Sequence, residues 1–183
     1  MYTIIIKITE MITIKKEIKN ISLSAIFSAL IVVIILLGTF IEMIDITAAA
    51  LCSVAVCIIL MEAKKKYAFL VFLTSSVLCM IFTPLSTATL YFIGFFGYYP
   101  IIRRLIARLP KFLRKVISFA IFNTSMALLL LIFKAAFGMT EEPLYMYFLL
   151  IAVLNLFFFS FDYFLDIFPI IYIKKIRTKI KFR

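Results

Sequence analysis

Polar residues along this chain fall in clusters, and long apolar runs separate the clusters. Six runs can be delimited. The first extends from Ile21 to Ile41, closed by Glu42 and Asp45. The second, Ile46 to Met61, is closed by Glu62 and by Lys64, Lys65 and Lys66. The third, Tyr67 to Phe82, ends at Thr83-Pro84, and the fourth, Thr87 to Ile102, at Arg103 and Arg104. The fifth, Val116 to Phe133, is closed by Lys134 and Gly138. The sixth starts at Pro143 and stays apolar to Ile173, with Asp162 and Asp166 inside it.

The runs lack the alternating polar positions of a barrel strand, and a helix satisfies its backbone within one segment, as hydrocarbon requires. A spanning helix needs about 20 residues, or about 17 at the short end. The second, third and fourth runs fall just short, so they borrow a turn from their flanks or meet a thinned bilayer. The predicted fold is therefore all-α: a polytopic integral membrane protein with six transmembrane helices over residues 21–173. An N-terminal arm, residues 1–20, precedes them, and a basic tail, residues 174–183, follows. The arm alternates isoleucine with lysine and threonine. It is read either as an amphipathic segment on the inner membrane surface or as a stretch upstream of a start at Met11.

Composition agrees with this pattern. Hydrophobic residues make up 66% of the chain and mean hydropathy is +1.18. A soluble domain of this size cannot hide that much apolar surface, and a disordered chain has the opposite balance. The net charge of +11 would suggest nucleic acid in a soluble protein. Here every lysine and arginine except Lys134 sits in the arm, the second-to-third loop, the stretch Arg103 to Lys115, or the tail. Six spans put all of these on one side, opposite Glu42, Asp45, Glu141 and Glu142. Five or seven would scatter them. Both termini are accordingly expected in the cytoplasm of a multi-pass cell-membrane protein, with anionic lipid rather than nucleic acid facing the charge.

The chain has no histidine. This excludes His-ligated zinc, Ser-His-Asp and Cys-His catalysis and His proton relays. Cys52, Cys57 and Cys79 lie in apolar runs without CxxC spacing and read as packing residues. No catalytic residue, metal or cofactor is expected. Asp162 and Asp166, one turn apart on a single helix at the membrane boundary, do not suit an aspartyl dyad.

Several positions stand out as candidate sites. Ala25 and Ala29 share one face of the first span, with Ser22 and Ser28 nearby. Small residues at this spacing let another helix approach closely, either a partner's or one of the chain's own. Glu42 and Asp45, with Thr39 and Thr47 beside them, are either a solvated loop or the rim of an outward pocket shared with the hydroxyl-rich hairpin Thr83 to Thr89. Asn123 and Asn155 are the amides within the spans. A buried amide needs a partner, either across helices or on a ligand. Asp162 is expected to form an ion pair with Arg103 and Arg104, which reach the same depth. Gly94, Gly97 and Pro100 make the fourth span bendable.

In size, six spans, inward termini and the pair Ala25/Ala29, the chain resembles the substrate-binding S components of energy-coupling factor transporters. The runs Phe95 to Pro100 and Asn155 to Asp162 also look like small membrane proteins of low-GC Gram-positive bacteria. The resemblance implies a six-helix bundle that captures a small molecule from outside. It implies docking through Ala25/Ala29 onto a shared transmembrane coupling subunit carrying two ATPases, and no nucleotide site on this chain. Family ligands sit near the outer face, which maps here onto Glu42, Asp45, Tyr91, Asn123 and Asn155. The lack of tryptophan and histidine and the few polar residues within the spans depart from vitamin binders and leave a small or hydrophobic substrate, or none. The competing expectation is a non-transport scaffold of the cell envelope, whose basic inner loops bind a soluble partner.

Overall fold

The computed structural model describes residues 2–137 and 144–176, and every described element is helical. The acidic pair Glu141 and Glu142, with Met1, Gly138, Pro143 and the tail from Arg177, lies outside the described residues, as do the side chains of Lys7 and Glu42.

Helix α1 runs Tyr2–Phe40 and is followed by a 3-10 turn, Glu42–Ile44. Then come α2 (Asp45–Glu62) and α3 (Lys65–Phe82). A broken segment follows: α4 (Thr87–Tyr91), a π-helical turn Phe92–Phe96, and α5 (Tyr99–Ile106). Helices α6 (Lys111–Phe137) and α7 (Leu144–Ile171) complete the fold, with a second π-helical turn at Tyr172–Ile176.

Among the described residues, five helical stretches are long and apolar enough to cross a membrane: Thr13–Phe40, Asp45–Glu62, Lys65–Phe82, Lys111–Ala135 and Leu149–Lys175. Their boundaries follow the polar clusters. The fourth predicted span is not a single helix. Gly97 N–H donates to the Phe92 carbonyl five residues back, at 2.7 Å, and Pro100 has no N–H to continue the ladder. The Tyr98 hydroxyl donates to the Gly94 carbonyl at 2.8 Å, and Ser125 caps that hydroxyl at 2.7 Å.

The N-terminal arm is helical and continuous with the first predicted span. Neither proline nor glycine interrupts residues 2–37, and α1 continues through them for a total of 39 residues. At 1.5 Å per residue that is about 58 Å, nearly twice the thickness of a bilayer's hydrocarbon core. Lys66 of α3 meets Glu17 of α1 at 3.2 Å.

The broken segment is the axis of the bundle. Ala88, Thr89, Phe92, Phe95, Phe96 and Tyr99 are essentially inaccessible. Phe95 meets Phe122 edge-on at 5.0 Å and Tyr99 at 4.5 Å, and Phe122 stacks on Phe158 at 4.5 Å. Helix α1 approaches α2 and α3 closely, while phenylalanines hold α6 and α7 apart. Ile26, Leu30, Val33 and Leu37 of α1, and Leu149, Val153 and Leu156 of α7, face outward. An apolar exterior of this kind suits lipid rather than water.

Candidate functional site: an arginine pocket at the basic end

Tyr99 and Arg103 are four residues apart on α5, as are Asp162 and Asp166 on α7, so each pair shares one helix face. The two faces meet. Arg103 Nε lies 3.0 Å from Asp162 Oδ1, off the hydrogen-bonding axis, so that contact is a charge pair. Its Nη2 reaches Asp166 Oδ1 at 2.7 Å and donates to the Asp162 carbonyl at 3.1 Å. The Tyr99 hydroxyl donates to Asp162 Oδ1 at 2.6 Å. Arg114 of α6 approaches Asp166 Oδ1 at 3.4 Å. Arg103 and Asp162 are each only 13% exposed, so the pairing is needed to hold two charges at this depth.

Arg104 behaves differently from its expected pairing with Asp162. The next position on a helix points about 100° away, and Arg104 donates to the Leu60 carbonyl of α2 instead. Among the described residues no carboxylate lies within ion-pair distance of it.

These groups line a cavity of about 320 Å³ at the basic end. Arg103, Arg104 and Arg114 form its polar part, and Asp166 is its acidic residue. Its apolar walls include Leu60 and Met61 of α2 and Leu165 of α7. Pro100 and Pro169 line it too, and their short rings leave space that a longer side chain would fill. Pro169 also cannot donate to the Leu165 carbonyl one turn back, which loosens α7 at this point.

The five residues implied as ligand contacts divide into groups. Asp45 and Tyr91 lie within electrostatic reach of each other at the opposite end, where Tyr91 packs on Phe133. Glu42 begins the 3-10 turn that leads into Asp45. Asn123 and Asn155 exchange amide bonds at 3.1 and 3.2 Å, and each donates its second N–H to the carbonyl one turn back, Phe119 or Ile151. All four amide hydrogens are thereby used within the bundle. We therefore expect Asn155→Leu to cost about 1 kcal/mol, within the range of interhelical hydrogen bonds in membranes. Asn123→Leu/Asn155→Leu should cost less than the two single changes added together, and a double-mutant cycle of unfolding in micelles measures this.

The hydroxyls of the Thr83 to Thr89 hairpin bond to one another and to Thr39. Thr83 meets Thr89 at 2.7 Å, Ser86 donates to Thr89 at 2.8 Å, and Thr39 reaches Ser86 at 3.2 Å. On α1, Ser24 and Ser28 face inward, and Ser28 meets Thr74 at 2.8 Å. Ala25 and Ala29 are exposed and open onto an apolar groove of about 360 Å³ between α1 and α3.

Sequence reasoning did not assign Tyr99, Asp166 or Arg114 to this site. The matched four-residue spacings of Tyr99/Arg103 and Asp162/Asp166 were the available signal for the first two. Nothing local marks Arg114. The chain matches no family model, no curated protein and no solved structure.

Proposed function

We propose that the chain is a bacterial cell-membrane protein of six membrane-crossing segments, the broken α4–α5 segment among them, with both ends in the cytoplasm. In this reading it is the substrate-binding subunit of an energy-coupling factor type uptake transporter. It docks through the α1–α3 groove onto a transmembrane subunit that carries the ATPases. Counting α4–α5 as a crossing keeps the second-to-third loop, the Arg103 to Lys115 stretch and Lys174 on one side, in accord with the positive-inside rule.

One observation carries the docking reading. Ala25 and Ala29 are exposed on the groove, while Ser24 and Ser28 are buried along it and Ser28 bonds to Thr74 of α3. Hydrocarbon gives helices little reason to associate, so close backbone approach over small residues is the principal drive for a partner helix. Ala25→Leu/Ala29→Leu fills the groove without touching the core. Affinity purification from native membranes should then lose the coupling subunit by about tenfold or more, equivalent to about 1.4 kcal/mol, at an unchanged melting temperature. Undiminished co-purification would end this reading.

The scaffold alternative draws on the exposed basic residues Arg108, Lys111 and Lys115. It predicts that charge reversal there releases a soluble partner, with the alanine variants neutral.

A further inference from the structure

The arginine pocket does not end at the helix ends. The helices α2 and α7 that wall it also line a second, open groove of about 290 Å³. Ala50, Leu51 and Val54 form one side and Phe157, Phe161 and Phe164 the other. Val54 and Cys57 are three apart on α2, and Phe161 and Leu165 four apart on α7, so the groove and the pocket follow the same helix faces. The two spaces are thus one seam, charged at its basic end and apolar beyond. Leu51 and Phe164, at 60% and 46% exposure, open it to the exterior. From Ala50 to Leu60 the seam runs about 15 Å at 1.5 Å per residue. That matches the depth of one leaflet, half of a hydrocarbon core about 30 Å thick.

The charge balance identifies what fits. Three guanidinium groups, Arg103, Arg104 and Arg114, face two carboxylates, Asp162 and Asp166, and Lys115 of α6 lines a small cavity beside the same aspartates, so positive charge is in excess here. Arg103 is committed to the aspartates. Arg104 spends a hydrogen bond on a neutral carbonyl and has further N–H groups available. A phosphodiester carries one negative charge, and its oxygens match the planar fork of arginine. A zwitterionic headgroup would add an ammonium that the same cluster repels.

We propose that this seam is a binding site for one anionic phospholipid of the leaflet at the basic end. Its phosphate rests on Arg104 and Arg114, and one acyl chain lies along the phenylalanine-walled groove. The assignment requires that the chain spans a membrane and is independent of transport. The lipid is a structural ligand that closes the gap between α2 and α7.

Native mass spectrometry of the full chain, released from nanodiscs of equal phosphatidylglycerol and phosphatidylcholine, tests this. Phosphatidylglycerol should be retained over phosphatidylcholine by about tenfold. Arg104→Gln and Arg114→Gln should each reduce that preference about threefold or more, while Arg108→Gln, which removes the same charge outside the pocket, leaves it unchanged. Each variant is compared at an elution profile and melting temperature matching the parent. Dihexanoyl phosphatidylglycerol should be retained less than the long-chain lipid, and millimolar inorganic phosphate should displace neither. Equal retention of the two headgroups, or an equal effect of Arg108→Gln, would reduce the binding to general surface attraction and overturn the proposal. Displacement by inorganic phosphate would assign the pocket to the free ion and overturn the lipid.

Discussion

Arg103→Ala lowers the stability of the bundle by about 3–5 kcal/mol, the cost of removing one partner from a buried pair. Among the described residues, Arg103 alone forms an ion pair with both Asp162 and Asp166, with Arg114 farther from Asp166 at 3.4 Å. Without it, Asp162 retains the Tyr99 hydroxyl as donor, and one neutral hydrogen bond does not replace a charge. Asp162→Asn is expected to be milder. The amide oxygen still accepts from Tyr99, and Arg103 keeps its 2.7 Å contact with Asp166. The order of the two variants is therefore the test, read by reversible unfolding in mixed micelles. If Asp162→Asn proves the more damaging, the network is not organised around Arg103. Added salt should leave this pair little changed, because burial shields it, while the exposed Lys66–Glu17 pair is screened.

The contrast between Arg103 and Arg104 shows what a sequence of this kind makes legible. Depth was readable: counting along the fourth and sixth runs brings both arginines to the level of Asp162. Direction was not, because it depends on where α2 and α7 stand around the broken segment. One step along α5 sends Arg103 to α7 and Arg104 to the Leu60 carbonyl of α2. Helix ends were legible for a related reason. Glu62 and Lys64 to Lys66, Thr83-Pro84 and the arginines before Lys111 are residues that hydrocarbon rejects or a helix cannot continue through. They mark the ends of α2, α3 and α5 within a few residues.

Pairings distant in sequence were beyond that logic. Asn123 and Asn155 each called for a partner, and nothing local identified each as the other's. The α2–α7 seam joins residues about a hundred positions apart in sequence, such as Ala50 and Phe157. The exposure of Ala25 and Ala29 was likewise undetermined, since Ser24 and Ser28, one position back, offer the same spacing and face inward.

Gly97→Ala is expected to cost about 2–3 kcal/mol, near the upper end for overpacking, although it adds a single methyl group. A Cβ at Gly97 would stand 2.5 Å from Phe72 Cδ2 and 2.9 Å from the Phe92 carbonyl oxygen. Phe72 is wedged against Phe92 and Tyr98, each at 6.0 Å between ring centres. The carbonyl is the acceptor of the π-helical turn itself. Neither neighbour can yield without moving the axis of the bundle. Gly94 sets the comparison. A Cβ there meets the branched end of Leu129 at 2.8 Å, and a leucine tip can change rotamer. Gly94→Ala should therefore unfold at a temperature closer to the parent than Gly97→Ala does. Phe72→Leu should recover part of the Gly97→Ala loss by vacating the ring, but not all of it, because the Phe92 carbonyl stays in place. Full recovery would mean that the ring alone excludes a side chain, and that the π-helical turn does not require glycine at its end.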